Sequence, residues 1–477
     1  MKILFCTGEA FPFSKSGGLA DVSAALPKAI KALNHDIRII TPLYGNILNQ
    51  IDNMKYLGKV EIQLADFYQS AEYYETVYDN VSYVFVRNDN YFNRDKMYGH
   101  HDDAERFTFF SKACIEFIDT VEFYPDIIHV NDWQTGVIPY LIEENYRHKS
   151  NYFKRVKTLL SIHNLEYQGA FDIEVDKFFN TKFNYTYIHF DRVNFLKCGI
   201  MRAHYINTVS PNYRNEILTR FYGFTLDGAL KARDSRLIGI LNGIDYNIYN
   251  PETDNKIVAN YNNKHFIKAK KANKLALVEK LGLDKTDNLP LIASIGRLAR
   301  QKGIDLMKAT LEETIQETNA LFVLIGSGDP QYEEYFAHLA AKYPRKVYAH
   351  IGFDEDLAHL TYAASDLFMM PSLFEPCGLG QMISQRYGSL PVVRETGGLK
   401  DTVNPYNKYT GEGNGFSFAN YNAHEFKDSL EMGIDLFHNN QRAWRQLVKQ
   451  AMSLDRSLNQ MGLDYIDLYK RMMEKEK

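Results

Sequence analysis

At 477 residues the chain is longer than one ordinary hydrophobic core serves, so two domains are expected. A hydrophobic fraction of 45% with 24% charged residues excludes disorder. A formal net charge of −4, with no concentrated basic block, excludes nucleic acid as the expected partner.

The predicted elements alternate strand and helix from the start. Residues 2–7 read as a strand, 19–34 as an amphipathic helix and 36–41 as a second strand ending at Pro42. Between the first strand and the first helix lies Lys15-Ser16-Gly17-Gly18-Leu19-Ala20-Asp21. Adjacent glycines beside a lysine, at a helix start, let backbone N–H groups and a mobile positive charge approach an anion. Residues 57–87 break the rhythm with short alternating runs and predict an antiparallel insertion. Alternation resumes with a helix over 104–121 and strands at 126–130, 158–162 and 205–209. A polar, Lys/Asn-rich stretch over 250–274 reads as a domain junction.

A second series follows, with strands at 290–295, 320–326, 346–351, 367–370 and 390–394 and helices at 331–343 and 354–364. Thr396-Gly397-Gly398-Leu399-Lys400-Asp401 repeats the Gly-Gly-Leu-x-Asp pattern of the first domain and reads as a second phosphate-capable turn. The region from 442 is helical, and its last element, 463–477, is a candidate tail on the first domain. The α/β alternation predicts two doubly wound parallel sheets facing a central cleft, with ligands beyond the C-terminal strand ends. The domains expected are 1–245, with the insertion near 57–87, then 246–460, with 461–477 as the helical tail.

Two loops carry chemistry. In Gly296-Arg297-Leu298-Ala299-Arg300-Gln301-Lys302-Gly303, cations follow a strand and precede a helix, a placement that suits clamping a pyrophosphate. In Pro371-Ser372-Leu373-Phe374-Glu375-Pro376-Cys377-Gly378-Leu379-Gly380, a proline-bounded loop holds Glu375 at a sheet's C-terminal edge. There it serves sugar hydroxyls or a cationic sugar, or else caps the following helix. The 33 tyrosines suit core packing and sugar binding alike.

With these motifs in order, the chain resembles bacterial and plant glycogen and starch synthases, retaining glucosyltransferases of the GT-B fold type. The resemblance rests also on His129-Val-Asn-Asp-Trp133, Ile162-His-Asn-Leu-Glu-Tyr-Gln-Gly169, Val209-Ser-Pro211, Leu241-Asn-Gly-Ile-Asp245 and Gly326-Ser-Gly-Asp329. It implies glucose transfer from ADP-glucose to the 4-hydroxyl of an α-1,4-glucan such as glycogen, with retention. It implies no metal and no cofactor, ADP-glucose being a substrate. By resemblance, Lys15, Gly18, Arg297 and Lys302 meet the donor diphosphate, and Glu375, Cys377, Gly378 and Leu379 line the glucose–diphosphate site. Asp21 orients the loop or touches hydroxyls, His163 and Asn164 sit at the reacting sugar, and Asn242 binds a hydroxyl near the hinge. Phe353 stacks on adenine, and Asp132, Trp133 and Tyr167 shape the acceptor side. Physically, His163 is expected to donate to a sugar hydroxyl and Trp133 to stack on a pyranose. The plainer alternatives are a helix cap for Asp132, a core ring for Trp133 and a strand-end histidine for His163.

The departures from the family pattern are Asn131 where relatives carry histidine, Phe353 where an aromatic with a hydroxyl is common, Gly380 for a usual threonine, and Ile383 where a second glutamate is common, so stacking on adenine is expected without a hydrogen bond and no carboxylate is assigned to the ribose. Three rival readings are weighed. A NAD-dependent oxidoreductase needs a G-x-G-x-x-G turn that Gly8 to Gly18 does not supply. A non-catalytic glucan-binding protein would tolerate loss of Lys15, Glu375 or Arg297, all of which are present. A UDP-glucose-using enzyme is not separated by any residue rule. The four cysteines, Cys6, Cys114, Cys198 and Cys377, have no metal-ligand spacing and read as buried thiols of a reducing compartment. No apolar run reaches ~18 residues, so no membrane span is expected, and the expected location is cytoplasmic.

Overall fold

The apolar runs become buried central strands. In the computed structural model, which describes residues 1–474 apart from 46, 48–50, 52 and 180, the chain divides into two units. One is Met1–Leu241 with Leu458–Lys477, the other Asn242–Ser457.

The first unit holds twelve strands among the described residues. They are β1 (Lys2–Cys6), β2 (Asp36–Pro42), β3 (Lys55–Leu64), β4 (Phe67–Tyr78), β5 (Val81–Arg87), β6 (Ile127–Asn131), β7 (Lys157–Ile162), β8 (Ala170–Asp172), β9 (Ile188–His189), β10 (Arg192–Asn194), β11 (Tyr205–Thr208) and β12 (Leu237–Gly239). Nine form one sheet in the order β12-β11-β7-β6-β1-β2-β5-β4-β3. β1 pairs in parallel with both β2 and β6. Ile3, Leu4, Phe5 and Cys6 are all fully buried, as a strand covered on both faces must be. The 57–87 region is antiparallel as expected, and it is joined to the main sheet. β3, β4 and β5 pair antiparallel, but β5 also pairs in parallel with β2, so the hairpins extend the main sheet.

The chain's last helix, Leu458–Glu474, packs on the first, Gly18–Ala32. A Cβ at Gly462 would lie 3.0 Å from the Cβ of Ala29, so glycine sets the spacing of the two helices.

The second unit carries β13 (Leu291–Ile295), β14 (Leu321–Gly326), β15 (Val347–Ile351), β16 (Leu367–Met370), β17 (Leu390–Arg394) and β18 (Phe416–Phe418), all parallel, in the order β15-β14-β13-β16-β17-β18. The stretch read as a polar junction contains a helix, Ile267–Leu281. Two of its lysines, Lys270 and Lys274, are buried rather than solvated. Lys270 Nζ donates to the carbonyls of Ala363, Ser365 and Tyr387, and Lys274 pairs with Asp366 at 2.6 Å.

In each sheet one strand marks the reversal of order: β1, between β6 and β2, and β13, between β14 and β16. Ligands of such sheets bind outside the C-terminal ends of strands at this reversal. The loops there are 7–17 and 131–133 in the first unit, and 296–303 and 371–379 in the second.

Candidate functional site

In the first unit, the turn after β1 is organised by Glu9, a residue the sequence reading did not single out. Its buried carboxylate accepts the Ser16 N–H at 2.7 Å and hydroxyl at 2.5 Å, and the N–H groups of Gly17 and Ala20, each at 3.2 Å. Burial pushes the Glu9 carboxyl upward, while these four donors pull it back. Lys15 is exposed and paired with Asp21 at 2.6 Å, so Asp21 orients the lysine within the loop. Gly18 is exposed, and a Cβ there would meet nothing within 4 Å. A recess of about 690 Å³ opens beside Lys15 and Ser16, walled by Tyr44, Asn93, Arg94, Lys96 and Tyr98.

Beyond β6, Asp132 adopts φ +52°, a left-handed conformation uncommon outside glycine. Its buried carboxylate accepts the N–H of His163, at 2.8 Å, and of Asn164. Burial pushes the carboxyl up to about 7, and the nearby Glu9 charge adds to this. The carboxylate therefore fixes the strand-end turn that carries both His163 and Asn164. The Asn164 side chain accepts from the Glu166 N–H.

His163 Nε2 lies 2.9 Å from Asn131 Oδ1, while Asn131 Nδ2 donates to Cys6 O. With its amide nitrogen so used, Asn131 presents an acceptor, and Nε2–H of His163 donates to it. Burial holds the imidazole down to about 4, so it is neutral at pH 7. Nδ1 is then left as a hydrogen-bond acceptor. The expectation that the His163 ring donates to a ligand does not fit this arrangement, in which Nε2–H is taken by Asn131 and Nδ1 can only accept.

Trp133 is also corrected. It is 9% exposed and enclosed by Phe107, Phe171 and Tyr98, and a Cβ on Gly169 would lie 2.5 Å from its ring. It is a packed ring without an open face for a pyranose. Tyr167, by contrast, is 54% exposed.

In the second unit, the loops after β13 and β16 lock together. Leu373 N–H donates to Gln301 O at 2.8 Å, and a Cβ at Gly303, whose φ is +73°, would lie 2.0 Å from Pro371 O. Only glycine fits there. Lys302 Nζ meets Glu375 Oε2 at 2.6 Å, and the Ser372 hydroxyl donates to the same oxygen at 3.2 Å. The other oxygen, Oε1, has no protein partner among the described residues. Side chains thus hold Glu375, not glycine N–H groups at the helix start. Arg297 is exposed, its guanidinium steadied by Gln301 Oε1 at 3.0 Å.

Buried Arg394, at the end of β17, was missed. It donates to the carbonyls of Ser372 and Leu373 and so braces the Glu375 loop. An arginine closing an otherwise apolar strand was the available signal.

The turn at Gly397–Gly398 is not a second phosphate cradle. Gly398 N–H is shared between Glu375 O and Pro376 O, both at 3.1 Å, and a Cβ at Gly397 would lie 1.9 Å from Glu375 O. Both glycines are buried, and they let this turn abut the backbone of the Glu375 loop.

Cys377 is buried, its thiol pushed up to about 12 by burial, and it receives the Asn242 N–H. The Asn242 side-chain Oδ1 is buried without a protein partner. Gly378, at φ +75°, and Leu379 are half-buried ahead of the helix Gly380–Arg386. Phe353, just past β15, is 74% exposed, and its ring is open to a planar ligand. Gly380 sits 3.1 Å (as a Cβ) from the Phe368 ring, and Ile383 is buried.

The second unit therefore brings Arg297, Lys302, Glu375, Cys377, Gly378 and Leu379 onto two interlocked loops. The first brings Lys15 together with Gly18 and Asp21 of the first helical turn, and joins Asp132, after β6, to His163 and Asn164, after β7.

Comparison with known proteins adds to this geometry. The family model described as the starch synthase catalytic domain matches residues 2–232, and that of glycosyl transferases group 1 matches residues 257–451. A glycogen synthase of Acholeplasma laidlawii is 57% identical over 475 residues, covering 99% of each chain. One of Bacillus cereus is 45% identical over 483 residues, covering 99% of this chain and all of the relative. Among solved structures, the catalytic domain of Arabidopsis thaliana starch synthase IV, bound to ADP and acarbose, matches with a TM-score of 0.90 and 33% identity over 99% of each chain. A sucrose-phosphate synthase of Thermosynechococcus elongatus, 15% identical with a TM-score of 0.65 over the whole of both chains, shares the fold.

Proposed function

The chain belongs to the glycogen and starch synthase family of GT-B glycosyltransferases, and on that premise we propose that it transfers glucose from ADP-glucose to the 4-hydroxyl of an α-1,4-glucan, with retention. The observation that carries this reading is the pairing of Lys302 with Glu375 on interlocked loops at the reversal of the second sheet, with Arg297 on the same rim. Two cations there neutralise a departing diphosphate, and a carboxylate with one open oxygen receives sugar hydroxyls.

In this reading Arg297 and Lys302 take the diphosphate, and Phe353 stacks on the base. Cys377, Gly378 and Leu379 line the glucose–diphosphate, and Asn242 Oδ1 accepts from a sugar hydroxyl. From the first unit, Lys15 and Gly18 also meet the diphosphate, and Asp21 sets the lysine. His163 Nδ1 accepts from a hydroxyl of the reacting sugar. Asp132 holds His163 and Asn164 in place, and Tyr167 shapes the acceptor side. The family relative solved with ADP supports the donor, since ADP is what ADP-glucose leaves behind. No helix among the described residues is long and apolar enough to cross a membrane.

The test is nucleoside diphosphate release from ADP-glucose and from UDP-glucose, each with and without glycogen. Glycogen-dependent ADP release, well above UDP release, is expected. Equal rates, or a preference for UDP-glucose, would overturn the donor assignment.

A further inference from the structure

The helix Gly18–Ala32 begins with unpaired N–H groups and a positive dipole end, an arrangement that calls for an anion. The chain supplies one itself. Glu9 Oε2 takes both Ser16 donors and Oε1 takes Gly17 and Ala20, which fills the acceptor capacity of a carboxylate. Glu9 is in turn seated by Thr7, whose hydroxyl donates to Glu9 O at 2.9 Å and lies 3.0 Å from Ser23 Oγ. Tyr44 closes the other side by donating to Gly8 O at 2.8 Å.

What remains open is selective. The amides of Gly18 and Leu19 have no acceptor among the described residues, and Lys15 projects into solvent beside them. The chain's own packing does not require the glycines here. A Cβ at Gly18 would touch nothing, and one at Gly17 would make only an ordinary contact, 3.9 Å from Glu9 Oε1. Two glycines that no neighbour demands keep backbone accessible to something outside the chain. A saturated, 2% exposed carboxylate is not itself available to that ligand.

We propose that Glu9 is a positioning residue for the donor loop: by holding Ser16, Gly17 and Ala20 it aims Lys15 and the open amides of Gly18 and Leu19 at the diphosphate of the nucleotide-sugar. This rests on the assignment of that loop to the donor. Glu9 touches neither substrate and acts through the loop. Replacing it by glutamine keeps the volume but turns one end into a donor facing N–H groups that already donate.

The experiment is steady-state kinetics of the full chain with ADP-glucose and glycogen for Glu9→Gln, Lys15→Ala and the double variant, with thermal melts alongside. The expected result is a loss of at least ~10-fold in kcat/KM for ADP-glucose in Glu9→Gln, the size expected when hydrogen bonds to a charged group are lost. KM for glycogen should be unchanged. Adding Lys15→Ala to Glu9→Gln should cost far less than Lys15→Ala costs alone, because the lysine is already misplaced. A merely structural role would instead give additive losses and equal shifts in both KM values, and that outcome overturns the proposal. If Glu9→Gln does not fold, Ser16→Ala, which removes one Glu9 contact, should give a smaller loss confined to the same donor parameter. An unchanged donor parameter there also overturns it. A Lys15→Ala variant with normal donor kinetics would defeat the loop assignment itself. A defective Lys15→Ala beside a normal Glu9→Gln would defeat only the positioning role.

Discussion

The ammonium of Lys302 rests 2.6 Å from Glu375 Oε2, joining two residues 73 positions apart on the loops that follow β13 and β16. Lys302 is 28% exposed at its side chain and Glu375 8%, so the pair is only weakly screened by water. Each partner spares the other an unpaired charge in a site shielded from solvent. Under the proposed donor assignment, a diphosphate gives Lys302 a second anion to serve and loosens its hold on Glu375.

The first prediction follows from that shared charge. Arg297→Ala should lower turnover by ~100-fold or more, as loss of one preorganised donor to a developing charge commonly does. Lys302→Ala and Glu375→Gln should each lower kcat, but the double variant should lose much less than the product of the two, because each single change already breaks the pair. Initial rates of ADP release at saturating substrates read this directly. Strictly multiplicative losses would mean that the two residues act separately.

The second prediction concerns pH and Asp132. Its carboxyl, pushed by burial up to about 7, returns to about 3.9 when the chain unfolds. Between those values the folded state holds a proton that the unfolded state has released. This contribution is fully present below pH 4 and is lost as pH rises through 7. An asparagine at this position would not titrate, could still accept the N–H groups of His163 and Asn164, and tolerates the left-handed φ of +52°. Asp132→Asn should therefore melt above the parent at pH 8, with the gap closing toward pH 4. A gap independent of pH would show that Asp132 titrates like an exposed carboxylate.

The helices over 103–120, 330–342 and 355–364 and most central strands were legible because buried strands are continuous apolar runs and covering helices keep a 3.6-residue period. Short strands such as β8, β9 and β18 carry two or three residues each, too few to show a period. The helix Ile267–Leu281 was hidden for a different reason. Its lysines look like a solvated linker, and only the fold reveals that the carbonyls of Ala363, Ser365 and Tyr387 receive Lys270. At the candidate site, spacing and chemistry pointed to Arg297, Lys302 and Glu375, which the fold brings onto interlocked loops. Glu9 and Arg394 were missed because their work is to hold neighbours, and the residues they hold lie on other turns. Trp133 was left between sugar stacking and core packing, since an indole at a helix start looks alike whether it faces sugar or Phe107 and Phe171.

The third prediction tests the last helix. Tyr469 OH lies 2.8 Å from His129 Nδ1, and His129 Nε2 lies 2.5 Å from Ser161 Oγ. Ser161 donates to Asn207 Oδ1, and Asn207 Nδ2 donates to Tyr465 OH. One set of protons satisfies all five groups: Nε2–H of a neutral His129 donates to Ser161, and Tyr469 donates to Nδ1. Burial holds His129 well below its ordinary range, which suits that neutral form. Tyr469→Phe leaves a buried imidazole nitrogen without a partner and should cost about 1–3 kcal/mol in urea unfolding. Truncation after Ser457 should cost much more, since it also uncovers the β6–β7–β11 region. A truncated chain of unchanged stability would show that the helix contributes nothing to the first unit.

The fourth prediction concerns stereochemistry. An α-linked donor and an α-1,4 product require retention, and double displacement would require a carboxylate placed for in-line attack on the anomeric carbon. Glu375 is the carboxylate of the second unit's site loops, and its Oε2 is already bound to Lys302 and Ser372. A carboxylate so held is a weak nucleophile, although its free oxygen suits a sugar hydroxyl. In the first unit, Asp21 is paired with Lys15, and Asp132 is bound to the N–H groups of His163 and Asn164. Glu9 is saturated by four donors. Each of these carboxylates is engaged in holding the site rather than left free to attack. Departure of the diphosphate and attack by the acceptor on the same face is therefore the expected course, with the leaving diphosphate accepting the acceptor's proton. Under the proposed donor assignment, Arg297 and Lys302 stabilise the charge that develops on it. A slow fluorinated donor should give no glucosyl ester on any of these residues in peptide mass spectra. A trapped ester on Glu375 would establish double displacement and overturn the same-face course.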